Sequence, residues 1–324
     1  MVVNSQIASP LCNGRIPPEI RNRIFEYALT EYTKADAGSM YSESTNYTRP
    51  GYIGKRAVST SLLLTCRKFY LETYHLPAKN KEHVFWHERW PPHQERYAHI
   101  GFLGEQEEAY FKQFEPWQME LVKEVHLFTQ LFWLEDGRFF QLTKEAFMQG
   151  IEKLKITIRR GDWWWNERNA PLGINPQRGN GDAAQMQRDW ESERQGQLIT
   201  WRKDKWGCAF GNMAALKELE MEFETSEDKA VELQRIVEKA KTWKFPLQDG
   251  KVLSTEGLES NELKWRGPMC LWSQRCPYCS GATDCQSMNA PCVEKRRLRR
   301  LRLGPECTVV SLRWRVANAA HQEY

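Results

Sequence analysis

The sequence predicts an α/β protein, with a helical N-terminal module followed by an irregular helix–strand repeat that builds a sheet domain. Three observations predict it. Two amphipathic, helix-forming segments occupy residues 16–29 and 62–73. Between residues 111 and 265, helical stretches lead three times into short runs of alternating apolar and polar residues. Helix–strand units joined by short turns favour parallel strands with helices packed on the sheet. Finally, 324 residues suffice for a substantial core, and no stretch approaches the roughly 20 consecutive apolar residues of a membrane span. The expected domains are a helical module with an inserted polar loop and a strand at 1–110, the helix–strand domain at 111–265 with a mobile insertion near 166–200, and a cysteine-rich segment with a basic hairpin at 266–324.

Each element follows from local chemistry. Pro18 suits the first helical position, where no intrahelical N–H is lost, and Glu19 complements the helix dipole. Ile20, Ile24, Phe25, Ala28 and Leu29 fall at helical spacing and are expected to form one apolar stripe, with Arg21, Arg23 and Glu26 facing water. In the second segment Leu62, Cys66, Phe69 and Thr73 make a row, with Leu63 and Tyr70 beside it and Ser59, Thr60 or Ser61 as N-cap. Residues 82–87 alternate as a strand. His83 and His87 share its face but stand about 13 Å apart on an extended chain, too far for one zinc ion to bridge. The five histidines from His75 to His99 are therefore expected to be ordinary surface residues.

Residues 119–124 lead into a strand at 125–128, and a helix capped by Thr143 and carrying Phe147 and Ile151 leads into a strand at 154–158. A helical end at 213–217 precedes Leu219, Met221 and Phe223, which alternate with Glu218, Glu220, Glu222 and Glu224. If those last two strands are neighbours, Lys155 and Arg159 can pair with Glu220, Glu222 or Glu224. A long helix capped by Thr225 or Ser226 then buries Leu233, Ile236, Val237 and Ala240 and ends near Trp243, and Asp249-Gly250 turns a hairpin.

The opening Ile-Pro-Pro-Glu-Ile at 16–20, with Ile24, Phe25 and Leu29, followed by Leu-Leu-Thr-Cys-Arg-Lys-Phe-Tyr-Leu-Glu-Thr at 63–73, resembles an F-box. More particularly it is similar to a large group of uncharacterised F-box-like proteins of filamentous fungi. Residues 154–165 and the run from Leu216 to Trp243 share that similarity, which covers most of residues 14–265. The resemblance implies that Ile16, Pro17, Ile20, Ile24, Phe25 and Leu29 offer an apolar face to a Skp-type ubiquitin-ligase adaptor, while the domain behind recruits an unknown substrate protein. The helix–strand part is similar to a degenerate leucine-rich-repeat-like sheet, an architecture that often follows an F-box. One departure is a polar insertion at 31–57, rich in Tyr, Ser, Thr and Gly, which separates the two helices by more than an ordinary F-box does. Long surface loops cost little entropy.

Chemistry-bearing residues concentrate toward the C-terminus, at Cys270, Cys276, Cys279, Cys285, Cys292 and Cys307. Cys276-Pro277-Tyr278-Cys279 has the shape of a zinc knuckle, with Cys270 and Cys285 the expected second pair and Cys292 a further candidate. The same four residues match a glutaredoxin dithiol, but no thioredoxin-like frame surrounds them and Ser280-Gly281 points to a turn, which argues against redox catalysis. The N-terminus lacks a basic n-region and an apolar h-region, so nine cysteines are expected as thiols or metal ligands of an intracellular protein, cytoplasmic or nuclear. Trp163, Trp164 and Trp165 with Arg159 and Arg160 form a candidate ligand surface, since exposed indoles stack on sugars or bases, although a strand end with three aromatics more often folds at least two of them into a core. The basic run at 295–302 is expected to enter a strand near Leu301 and Leu303; beyond Gly304-Pro305, Val310, Leu312, Trp314 and Val316 alternate with Arg313 and Arg315 as a solvated hairpin edge.

A net charge of +4 is too small to demand nucleic acid. There is no phosphate-binding glycine loop, nucleophile elbow or kinase motif set. The expected function is therefore non-enzymatic: an F-box-like interaction scaffold. The alternative is a nucleic-acid- or anion-binding protein that uses the basic tail, the tryptophans and a zinc knuckle.

Overall fold

The structure, a computed structural model, describes residues 9–87, 89–91, 105–166, 170–179, 183–197, 204–272, 276, 278–279 and 285–318. The chain divides into two units: Met1–Met40 with Gly54–Glu82, and Tyr41–Ile53 with His83–Tyr324. This differs from the three expected segments, because the strand placed in the first module and the strand placed in the C-terminal segment both join one sheet.

In the first unit, helix α1 (Pro18–Ala28) is followed by strands β1 (Glu31–Thr33) and β2 (Arg56–Val58), which pair antiparallel, and then by α2 (Arg67–Thr73) and α3 (Leu76–Asn80). Pro18 opens α1 as expected. The core is small: Phe25, Leu29, Phe69 and Leu76 are buried together, the Phe25 and Phe69 rings 5.1 Å apart. Arg21 reaches Glu72 at 3.3 Å and Arg56 pairs with Glu31 at 2.9 Å. The second helix starts at Arg67 rather than after Ser61. Residues Ser61–Leu64 wind as a 3-10 turn, and extended Cys66 takes the N-cap, its Sγ accepting the Phe69 N–H at 3.5 Å.

The second unit is built on an eight-stranded sheet. Its strands are β3 (His83–His87), β4 (Glu124–Thr129), β5 (Lys153–Ile158), β6 (Glu218–Ser226), β7 (Phe245–Pro246), β8 (Lys251–Ser254), β9 (Asn261–Arg266) and β10 (Glu306–Asn318). They run in the order β3-β4-β5-β6-β10-β8-β7, and β9 also pairs with β10. Strands β3 to β6 are parallel; β10 lies antiparallel to β6 and shares its other edge between β9 and β8. The fold is therefore mixed α/β with a mixed sheet.

β10 is an interior strand, not the solvated edge expected. Its register explains why: Arg313 and Arg315 stand opposite Glu220 and Glu218 and pair with them at 3.1 and 2.8 Å, while Val310, Leu312 and Trp314 turn into the core. Gly304 permits the approach to β10. A Cβ there would meet the Gly267 carbonyl oxygen at 2.2 Å and that of Pro268 at 2.3 Å.

The remaining helices of this unit are α4 (Glu105–Phe111), α5 (Pro116–Leu121), α6 (Leu131–Glu135), α7 (Arg138–Leu142), α8 (Ala183–Arg194), α9 (Trp206–Ala209), α10 (Ala230–Lys241) and α11 (Ala290–Arg300). One face of the sheet is apolar, with Leu127, Leu154, Ile156, Ile158, Leu219, Met221, Phe223, Leu312 and Trp314 all buried. Helix α10 covers part of it through Leu233, Ile236, Val237 and Ala240, the four residues its periodicity predicts.

Several local expectations change. Only a 3-10 turn at Ala146–Met148 occupies the helix expected to run from Thr143. The stretch 166–200, expected to be a loop, holds α8, whose Met186 and Trp190 are buried. The basic run at 295–302 is mostly helix α11, not a strand: Lys, Arg and Leu are good helix formers, and the Glu294–Arg297 pair at 2.7 Å adds support. His83 and His87 are packed rather than superficial, His83 bonded to the Tyr110 hydroxyl at 3.0 Å and His87 stacked on Trp133 at 3.6 Å. His93 and His99 lie outside the described residues.

Candidate functional site

The C-terminal cysteines form the most concentrated chemistry in the second unit. The Sγ atoms of Cys276, Cys279, Cys285 and Cys292 all lie within 4.8 Å of one another. Two thiols come from the knuckle, one from the chain that approaches α11, and Cys292 from the first turn of α11 itself. Cys276 and Cys292 are buried, their sulfurs 3.7 Å apart. That spacing excludes a disulfide, whose sulfurs stand about 2.05 Å apart. It matches the edge of a tetrathiolate tetrahedron: zinc–sulfur bonds of about 2.3 Å set the sulfurs about 3.8 Å from each other. A hydrogen bond with the Cys279 thiol pulls Cys285 down to about 7, whereas desolvation pushes Cys292 up.

The expected ligand set is corrected in one member. Cys270 is exposed and stands outside the cluster, and Cys292 takes the fourth position. Only the folding of α11 brings Cys292 back onto the knuckle. Two contacts fix that helix locally: Arg296 Nη1 donates to the Cys285 carbonyl at 2.8 Å and to the Ser287 carbonyl at 2.7 Å. The Tyr278 hydroxyl, inside the knuckle, donates to Glu227 Oε1 at 3.1 Å.

The tryptophan run is not a ligand surface. Trp163 and Trp164 are buried, and their indole N–H groups donate to the Glu224 carbonyl and to Glu135 Oε2, both at 2.7 Å. Trp165 packs between Trp164 and Trp190. Arg159 and Arg160 are buried as well; Arg159 Nε donates to Asp162 Oδ2 at 2.6 Å, and Arg160 Nε to the Ser226 hydroxyl at 2.9 Å. Large aromatics gain more from burial than from exposure, and the indole N–H groups of Trp163 and Trp164 have their acceptors inside the protein.

The polar face of the sheet holds a network that sequence reasoning missed. Residues Tyr41–Ile53, the middle of the polar insertion, belong to the second unit. From them Arg49 reaches Glu222 at 2.9 Å and Glu224 at 3.6 Å. Lys155 also pairs with Glu222, at 2.7 Å, and with Glu220, at 3.4 Å, as expected, whereas Arg159 pairs with Asp162. Glu222 Oε2 accepts the Thr157 hydroxyl at 2.8 Å, so Thr157 Oγ1 accepts from His126 Nε2, and His126 Nδ1 accepts the Tyr52 hydroxyl, each at 2.8 Å. Burial alone would raise the Glu222 carboxyl, but Arg49 and Lys155 prevail and hold it at about 2. One signal was available in the sequence: four glutamates on one face of β6 outnumber the two lysines, Lys153 and Lys155, of the neighbouring strand, so a further cation had to come from elsewhere.

In the first unit, the residues expected to meet an adaptor separate into two sets. Phe25 and Leu29 are buried in that unit's own core, which corrects their expected role. Ile20 is 51% exposed, Ile24 40% and Tyr27 80%, and they stand at i, i+4 and i+7 on the face of α1 opposite to Phe25 and Leu29. Pro17 is exposed and Ile16 half-buried. On α2, Tyr70 and Leu71 are exposed, and Tyr70 stacks on Tyr74, their ring centroids 5.9 Å apart.

No family model, curated protein or solved structure matches the chain. Among the described residues, no helix is long and apolar enough to cross a membrane.

Proposed function

We propose that the chain is a non-enzymatic interaction scaffold, with an F-box-like first unit that docks a Skp-type adaptor and a repeat-like sheet unit that recruits a substrate protein. One observation carries the reading: α1 keeps a second apolar row, Ile20, Ile24 and Tyr27, exposed behind the row that builds its own core. A helix serving only its own unit has no use for two opposite apolar faces. The exposed aromatics of α2 add to the same unit's apolar surface. The four successive parallel strands β3 to β6 support a leucine-rich-repeat-like ancestry, from which antiparallel β10 departs. Nine free thiols suit a reducing, intracellular compartment. The test is a pull-down with purified Skp-type adaptor, comparing wild type with the pair Ile20→Asp and Ile24→Asp, whose fold is checked by circular dichroism. Binding by wild type that the folded variant loses is the expected result; no binding by wild type overturns the reading.

For the cofactor, we propose one structural zinc ion held by Cys276, Cys279, Cys285 and Cys292. With all four positions filled by protein sulfur, the ion has no open site for catalysis. The alternative of nucleic-acid or anion binding has less support. Arg297, Arg313 and Arg315 are each paired with a glutamate, and the tryptophans that were to stack on a ligand are core. A steep loss of nucleic-acid affinity with added salt would favour that alternative.

A further inference from the structure

We infer that Lys295 and Arg296 form the positive outer shell of the cysteine centre and set its affinity for zinc. The inference rests on the zinc reading above. Four thiolates and one Zn²⁺ leave a net charge of −2, and two cations next to the centre would cancel it. Cys292, Lys295 and Arg296 stand at i, i+3 and i+4 of α11, the spacing that brings helical side chains to one face.

Lys295 is the more telling of the two. It is only 2% exposed, and its Nζ has no hydrogen-bond partner among the described residues. Its one described contact is the Trp272 ring, with the centroid 5.5 Å away. A buried ammonium without a hydrogen-bonded anion is costly, and nearly every such group in a folded protein is paired. An anion is what the centre supplies once metal is bound, and Cys292 stands about one turn before Lys295 on the same helix face. Arg296 contributes geometry as well as charge. By binding the carbonyls of Cys285 and Ser287 it holds the third ligand against the helix that carries the fourth. Such outer partners commonly change metal affinity by about 10- to 100-fold.

A buried cation that serves packing alone and one that balances the metal make opposite predictions for the metal-free chain. The experiment uses the full chain, metal-free and zinc-loaded, as wild type, Lys295→Met, Lys295→Arg and Arg296→Met. Zinc affinity is measured by competition with a chromogenic chelator, Tm is measured for both forms, and cobalt substitution reports the ligand set by its visible spectrum. Lys295→Met should bind zinc about 10- to 100-fold more weakly. It should also lower the Tm of the loaded chain and raise that of the metal-free chain, where an uncompensated charge has been removed. Lys295→Arg should restore affinity, Arg296→Met should weaken it, and all three variants should keep a tetrathiolate cobalt spectrum. Zinc bound as tightly by Lys295→Met as by wild type, or equal loss of Tm in both forms, overturns the outer shell and leaves the zinc centre standing. Failure of wild type to take up zinc, or uptake unchanged by Cys276→Ser with Cys292→Ser, overturns the centre and the shell with it.

Discussion

Helices α1 and α10 have the same kind of amphipathic sequence and use it differently. In α10 all four apolar positions predicted from spacing are buried, because a broad, flat sheet face covers the whole stripe. In α1 only one buried residue lies within the helix, with Leu29 just past its end, because the unit around it has a core of four side chains. Periodicity identifies a helix; the width of the surface opposite decides how much of it is covered. The predicted stripe of α10 is covered completely, whereas α1 keeps an apolar row to spare.

The contrast can be broken by substitution. Phe25→Ala should cost about 3–5 kcal/mol in urea denaturation, since a core of four residues cannot relax around the missing ring. A cost near 1 kcal/mol would mean that α1 is held by something other than that core. Arg49→Met should cost about 3 kcal/mol, because it removes the cation that two buried carboxylates share. Little change would show that Lys155 alone suffices. Acid sharpens the same point. Glu222 ionises at about 2 in the folded chain against an ordinary 4.5, so its contribution is complete above about pH 4.5 and disappears as pH falls toward 2. The pH dependence of the midpoint in that window should flatten in Glu222→Gln. The smallest effect belongs to Ile20→Asp with Ile24→Asp, which should move stability by no more than about 0.5 kcal/mol per site, because exposed positions carry little of the fold. A larger loss would place those side chains in the core after all.

Much of the second unit was legible in the sequence. Strands β4, β5 and β6 and helix α10 followed from periods of two and 3.6, and Lys155 found the glutamates that register required. Most of what failed depended on distant partners. The helix-forming residues at 295–302 carried a local signal that the reading of a strand passed over, and tethering of Cys292 to the knuckle and of Arg296 to the chain before it adds a tertiary one. That at least two tryptophans of the run fold inward was legible, but which acceptors take their N–H groups was not, since Glu224 and Glu135 lie far along the chain. Cys270 was expected in the place that Cys292 takes, and only the fold exchanges them. For the first unit the sequence located the apolar residues of α1 but merged two opposite faces into one stripe.

The interior position of β10 has a consequence for synthesis. Parallel strands β3 to β6 leave the ribosome long before Glu306–Asn318, so the nascent sheet waits with one edge of β6 bare. A waiting edge of unpaired N–H and C=O groups, with Leu219, Met221 and Phe223 beside it, is a template for a neighbouring chain on the same polysome. Glu218 and Glu220, whose partners Arg315 and Arg313 arrive only with β10, lie along that same edge strand, and two such pairs brought together repel. Stalled chains ending before Glu306 should therefore sediment as larger species after Glu218→Gln and Glu220→Gln than with the native residues. By that expectation, the two carboxylates that β10 neutralises in the finished protein keep half-made copies apart in the unfinished one.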